Sequence, residues 1–213
     1  MKDTDLDFIH RFVPANYNAK EAKLTLLLLH GTGGNEDDLI PLGKELAPNA
    51  SILSVRGKVL ENGMPRFFRR LEEGVFDMED LKIRTDELAE FIVKSSSAYM
   101  LDPERVIAVG YSNGANIAAS LLLRRPEVLA GAILFRAMVP FVPTVMPDLS
   151  KKSIILLEGL YDPIVTKAEA ESLLKLFTKT QSSVALRWQN SGHNLTQEDI
   201  VAAKKWLESN SNL

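Results

Sequence analysis

Short apolar runs alternate along the chain with longer segments in which apolar positions return every three or four residues. The short runs predict strands over Phe8–Val13, Leu24–Leu29, Ile52–Val55, Val106–Val109, Ala132–Phe135, Ile154–Leu157 and Val184–Trp188. Leu26 to Leu29 is apolar without a break, the pattern of a strand covered on both faces. The longer segments predict helices over Glu36–Ala47, Glu79–Ala98, Ala115–Arg125, Lys167–Lys179 and Gln197–Ser209. Asn35 is placed to cap the first, and Leu88, Phe91 and Ile92 form an i, i+3, i+4 face on the second. Strand and helix in regular alternation predict an α/β fold with a mainly parallel sheet of about seven strands. In such sheets ligands sit beyond the carboxyl ends of the strands, so the loops leaving each strand are where chemistry is expected.

Composition narrows this picture. The 213 residues contain no repeat and no Gly/Ser/Pro linker, which predicts one domain over 1–213. With 46% hydrophobic and 25% charged residues the chain is globular in type, not disordered. A net charge of −3 leaves no cationic footprint for nucleic acid or an anionic membrane. The absence of cysteine removes disulfides, thiolate metal sites and a cysteine nucleophile together. Met1-Lys2-Asp3-Thr4-Asp5 is acidic with no apolar core after it, and the longest apolar run is far below the roughly 20 residues of a membrane span. A cytoplasmic protein without membrane insertion is expected, and Asn49-Ala50-Ser51 and Asn194-Leu195-Thr196 read as chance matches to the glycosylation pattern.

Four loops carry candidate chemistry. After Val106–Val109 comes Gly110-Tyr111-Ser112-Asn113-Gly114 and then a helical stretch, a G-x-S-x-G elbow in its required strand–turn–helix context. A serine nucleophile needs a base and an acid that orients it, in the chain order serine, acid, histidine. Of His10, His30 and His193, only His193 follows Ser112, in the polar loop after the last strand. Asp162, in the loop after Ile154–Leu157, leads as the acid, ahead of Asp148 and then Glu158; the bland reading of Asp162-Pro163 is a turn. His30-Gly31-Thr32-Gly33-Gly34 follows the second strand and fits a loop that lends a backbone N–H to an oxyanion hole. A dinucleotide loop fails on spacing, since Glu36 stands where glycine or alanine is needed, and no G-x-x-x-x-G-K exists. His30 itself reads as holding the loop.

These motifs together resemble the α/β-hydrolase fold without a cap domain, and within it the small carboxylesterase, phospholipase and acyl-protein thioesterase branch. The resemblance covers nearly the whole chain. It implies Ser112 as nucleophile, His193 as general base, Asp162 as its orienter, and the N–H groups of Thr32 and Asn113 as the oxyanion hole. No cofactor is implied. Asn113 and Gly114-Ala115 depart from the Gly-x-Ser-Gln-Gly-Gly of eukaryotic thioesterases, and Thr32 from their usual leucine. Arg136–Phe141 and Arg56–Arg70 look instead like bacterial members of the branch.

The implied partner is a small acyl ester or thioester, with a serine peptidase, a lactonase or a non-catalytic binding module as alternatives, and a homodimer left open. Arg66, Arg136, Met138 and Phe141 are the candidate substrate contacts. Arg66, Arg69 and Arg70 read either as ligands for an acidic group or as solvated cations with packed stems. The apolar stretch Ala137–Ser150 reads as a pocket wall, a dimer interface or simple packing.

Overall fold

The computed structural model describes residues 6–16 and 24–210. Seven strands form the central sheet: β1 (His10–Val13), β2 (Thr25–Leu29), β3 (Ser51–Val55), β8 (Val106–Tyr111), β9 (Gly131–Phe135), β10 (Ser153–Gly159) and β11 (Ser183–Gln189). Their order is β1-β3-β2-β8-β9-β10-β11, with β1 antiparallel to β3 and every other pair parallel. The seven predicted strands are all present. Phe8 and Ile9 of the first prediction lie outside β1: Phe8 packs into the core while Ile9 is exposed.

Both faces are covered. Helices α2 (Met78–Tyr99), α3 (Asn113–Arg124) and α4 (Lys167–Lys179) pack on one, α1 (Ile40–Leu46) and α5 (Gln197–Ser209) on the other. The unbroken run in β2 divides between them by the two-residue period of a strand. Leu27 and Leu29 join the core under α2–α4, Leu26 and Leu28 the core under α1 and α5, and all four are fully buried. Truncating one of these to alanine is worth about 2–5 kcal/mol. Among the described residues no helix is long and apolar enough to cross a membrane.

Two regions differ from the prediction. The first helix starts at Ile40 instead of Glu36, because Asp38 Oδ2 accepts from Asn35 N–H and Asn35 Oδ1 from Asp37 N–H in a turn before it, and Glu36 is drawn to Arg56. The span 57–77, for which no element is predicted, holds two hairpins: β4 (Val59–Glu61) with β5 (Met64–Arg66), and β6 (Arg70–Glu72) with β7 (Val75–Phe76). Asn62 and Gly63 turn the first with φ of 51° and 81°. That Asn-Gly pair is the strongest short hairpin signal a sequence offers. These hairpins lie over the carboxyl edge, beside the loops that follow β2 and β8.

Candidate active site

Order reverses about β2 and β8: the chain leaves β2 to build β3 on one side and returns to build β8 on the other. Crevices at such switch points are where α/β sheets bind ligands. Here Ser112 stands alone between β8 and α3, with φ 52° and ψ −112°. A non-glycine residue held there stores about 1–3 kcal/mol of backbone strain. Hydrogen bonds on both sides sustain it, Ser112 N–H to the Phe135 carbonyl at 2.9 Å and Asn116 N–H to the Ser112 carbonyl at 2.9 Å. The glycine spacing has a steric cause: a Cβ at Gly114 would land on the Leu29 carbonyl, and one at Gly110 on the backbone of Gly114 and Ala115. The Ser112 hydroxyl is thereby presented at the N-terminus of α3, where backbone N–H groups favour negative charge.

Its Oγ lies 3.0 Å from His193 Nε2, and His193 Nδ1 lies 2.8 Å from Asp162 Oδ2. The geometry fits the tautomer with its hydrogen on Nδ1, so that Nδ1–H donates to the carboxylate and Nε2 accepts from the hydroxyl. The Asp162 side chain is fully buried, and its Oδ1 accepts from Ile164 N–H at 2.7 Å and Val165 N–H at 3.0 Å. The loops after β10 and β11 run side by side, with Leu160 N–H donating to the Gln189 carbonyl and Tyr161 N–H to that of Ser191. A Cβ at Gly159 would strike the carbonyl oxygens of Ser191 and Gly192, so this approach requires glycine.

The other two candidate acids stand apart from His193. Asp148 is exposed and accepts from Ser150 N–H in its own turn. Glu158 is fully buried, with Oε1 accepting from Ala137 N–H at 2.9 Å and Oε2 without a partner among the described residues. Burial pushes its carboxyl well above the usual carboxylate range.

Ser112, His193, Thr32 and Asn113 line one pocket of about 290 Å3, together with Arg66, Arg70, Phe76, Met138, Ile164 and Val165. A second hollow, of about 450 Å3, opens behind the glycine loop over Gly31–Gly34, Leu39 and Leu195, and meets the first at Thr32 and Tyr111. His30 is buried beneath that loop, donating from Nδ1 to the Gly31 carbonyl at 2.6 Å and accepting at Nε2 from Gly57 N–H at 3.0 Å. Burial, more than any charge, holds its pKa below the ordinary histidine value.

Of the candidate substrate contacts, Arg66, Arg136 and Met138 border the pocket and Phe141 does not. Arg136 is fully buried behind the histidine loop, and its guanidinium is spent on Asp199, Ser191 Oγ and the carbonyls of Leu157, Gly192 and Asn194. No N–H of it is left for a substrate. Phe141 packs on the core with Val139 and Met146 instead of walling the pocket, while Val142 and Val145 are exposed. Arg66 reaches the pocket wall but is itself held, as described below. Arg70 pairs with Glu61 at the rim, and Arg69 turns away to Asp77. The sequence reading missed Asn116, whose Oδ1 accepts from Met138 N–H at 2.8 Å. It also missed Asp199, whose Thr196-x-x-Asp199 spacing announces a capping box but not its partner 63 residues away.

An elbow serine at a switch point, facing a histidine and a buried carboxylate, defines the α/β-hydrolase class. The phospholipase/carboxylesterase family profile matches residues 15–211, and the chain belongs to that family. It is 52% identical over 183 residues to the MhqD protein of Bacillus subtilis (strain 168), covering 86% of this chain and 92% of that one. The crystal structure of a Bacillus cereus carboxylesterase superposes with a TM-score of 0.92 at 47% identity, over 97% of this chain and 96% of the other. A Mesorhizobium loti carboxylesterase superposes with a TM-score of 0.87 at 29% identity, over 96% of each chain. The protein is a carboxylic ester hydrolase.

Proposed function

We propose that the chain cleaves ester or thioester bonds of small acyl substrates by a serine mechanism with an acyl-enzyme intermediate. Ser112 Oγ attacks the carbonyl carbon while His193 Nε2 takes its proton. Asp162 holds the imidazole in the Nδ1–H tautomer and stabilises the imidazolium. The carbonyl oxygen becomes an oxyanion against the N–H groups of Thr32 and Asn113, a contribution of about 3 kcal/mol per donor. The imidazolium then returns its proton to the departing alcohol or thiol. Water, deprotonated by the same histidine, hydrolyses the acyl-enzyme and frees Ser112.

The observation that carries this reading is the continuous line from Asp162 Oδ2 through His193 to Ser112 Oγ, at 2.8 and 3.0 Å, ending in a pocket. Two hollows meeting at Thr32 and Tyr111 suit a substrate with two limbs, as an ester has. A panel of p-nitrophenyl esters and acyl thioesters of rising chain length tests it, with Ser112→Ala and a fluorophosphonate probe alongside. Turnover of some members, loss of turnover in Ser112→Ala and an adduct mapped to Ser112 are expected. A folded protein inert toward the whole panel, or an adduct elsewhere, sinks the proposal.

A further inference from the structure

Both residues proposed to form the oxyanion hole are gripped from one short segment, Met64–Phe68. Pro65 offers its carbonyl to Gly33 N–H at 2.9 Å. Arg66 Nη1 donates to Thr32 Oγ1 at 2.8 Å. Phe67 N–H donates to Asn113 Oδ1 at 2.7 Å. The segment is itself anchored, because the backbone of Arg66 and Phe67 lies against Gly57 so closely that a Cβ there would overlap it. Gly57 N–H in turn donates to His30, which holds the Gly31 carbonyl. Thr32 thus sits in a glycine-rich turn, closed by Gly34 N–H donating to the Gly31 carbonyl at 3.1 Å with Gly33 at φ 84°, and its side chain is tied to the segment that carries Arg66.

Arg66 is the member of this splint with a side chain to remove. It is 3% exposed, and a buried guanidinium is tolerated only when its charge and N–H groups are met. Glu61 Oε2 lies 3.2 Å from Nε, whose N–H donates to the Phe68 carbonyl at 3.2 Å, and Nη1 donates to Thr32 Oγ1. Glu61, which also pairs with Arg70, balances its charge from the protein side.

We propose that Arg66 is a positioning residue for the oxyanion hole: through the Thr32 hydroxyl it fixes the direction of the Thr32 N–H. The inference rests on the serine-hydrolase reading above. A hole works only if its donors are aimed before the charge develops, so Arg66 acts on the transition state and not on the bound ester. Displacing a catalytic group by about 1 Å can cost roughly 10²-fold.

The test is a kinetic cycle on the full-length protein with one neutral ester and one ester carrying a carboxylate. Arg66→Met is expected to lower kcat by about 30- to 100-fold on both substrates with KM within about 3-fold, the signature of an interaction made in the transition state. Affinity for an alkylboronic acid, which forms a tetrahedral adduct on serine, falls by the same factor as kcat/KM. Thr32→Val removes the hydroxyl but keeps the N–H, and produces a loss of the same kind. Arg66→Met/Thr32→Val loses little beyond the larger single effect, because both remove one interaction. Arg66→Lys, which restores charge and donor, recovers part of the rate. A rise in KM at unchanged kcat, a loss confined to the carboxylate-bearing ester, additive losses in the cycle, or wild-type kinetics in Arg66→Met would each overturn the inference. If Arg66→Met fails to fold, Thr32→Val decides, and unchanged kcat and boronate affinity overturn it. Failure of the underlying reading looks different: the wild type itself would be inert and Ser112 unlabelled.

Discussion

Arg136→Met removes the clamp behind the histidine loop, and its cost can be worked from the structure. Arg136 and Asp199 are a fully buried ion pair, with Nη2 2.6 Å from Oδ2 and Nη1 3.0 Å from Oδ1. Methionine fills much of the volume, so the transfer loss is small. What remains is a carboxylate in the interior with only Thr196 N–H at 2.9 Å and Thr196 Oγ at 3.1 Å as donors. The carbonyls of Leu157, Gly192 and Asn194 also lose a donor. Breaking a buried pair by removing one partner costs about 3–5 kcal/mol. At about 2–4 °C per kcal/mol for a domain of this size, Tm should fall by roughly 6–20 °C. Urea unfolding followed by two probes measures the change, coincident curves establishing that the transition is two-state. Arg136→Met/Asp199→Leu should win back part of the loss, because the orphaned charge goes with it. A loss below about 1 kcal/mol in the single variant, or a double variant worse than the single, would refute the reasoning that an uncompensated charge sets the cost.

Asp162→Asn should lower kcat by about 10⁴-fold with KM little changed, since an amide no longer enforces the Nδ1–H tautomer or stabilises the imidazolium. Asp148→Asn and Glu158→Gln should stay within a few-fold of wild type in the same ester assay, and collapse of either with an active Asp162→Asn would move the acid elsewhere. His30 gives a pH dependence. Its pKa is depressed in the folded state, so between that value and its ordinary value of about 6.5 the unfolded chain binds a proton the folded chain does not. The corresponding stability is full above the ordinary value and is lost as pH falls toward the depressed one. Stability measured from pH 7.5 down to 5.5 should therefore drop more steeply in wild type than in His30→Asn, and equal slopes would contradict this.

The elements legible in the sequence were those whose signal is local. Leu26–Leu29 announces a doubly covered strand by itself, and Gly110, Ser112 and Gly114 announce the elbow because sterics at one turn dictate all three. The preference for Asp162 followed from strand order alone, since loops after two neighbouring parallel strands must lie together, as β10 and β11 do in register. The occupied guanidinium of Arg136 and the packing of Phe141 were not legible because both are set by residues far along the chain: the arginine's partner is Asp199, and the phenylalanine packs on the core. Composition marks an arginine as a cation looking for an anion. Only the fold says whether the anion is a substrate or another residue. The hairpin at Asn62-Gly63 is a different kind of omission, a local signal present and not used.

The two buried arginines divide the site between them. Arg136 serves the histidine side, joining the loop around His193 to the first turn of α5. Arg66 serves the other side, joining the glycine loop to the β4–β5 hairpin through Thr32 and Glu61. Neither arrangement is what stability alone would select, because well-packed apolar side chains of similar volume commonly do as well as a buried ion pair. A hydrocarbon cannot do what the guanidinium does, which is to hold several oxygen atoms of separate segments in one plane at hydrogen-bond length. Lysine, a single ammonium on a flexible stem, could hold one or two of them. Carbonyls from β10 and two positions of the histidine loop converge on Arg136, with the Asp199 carboxylate balancing its charge. Catalytic loops leaving parallel strands have no ladder hydrogen bonds beyond the sheet edge, so something else must fix their backbone. In this chain a buried arginine does so on each side of Ser112.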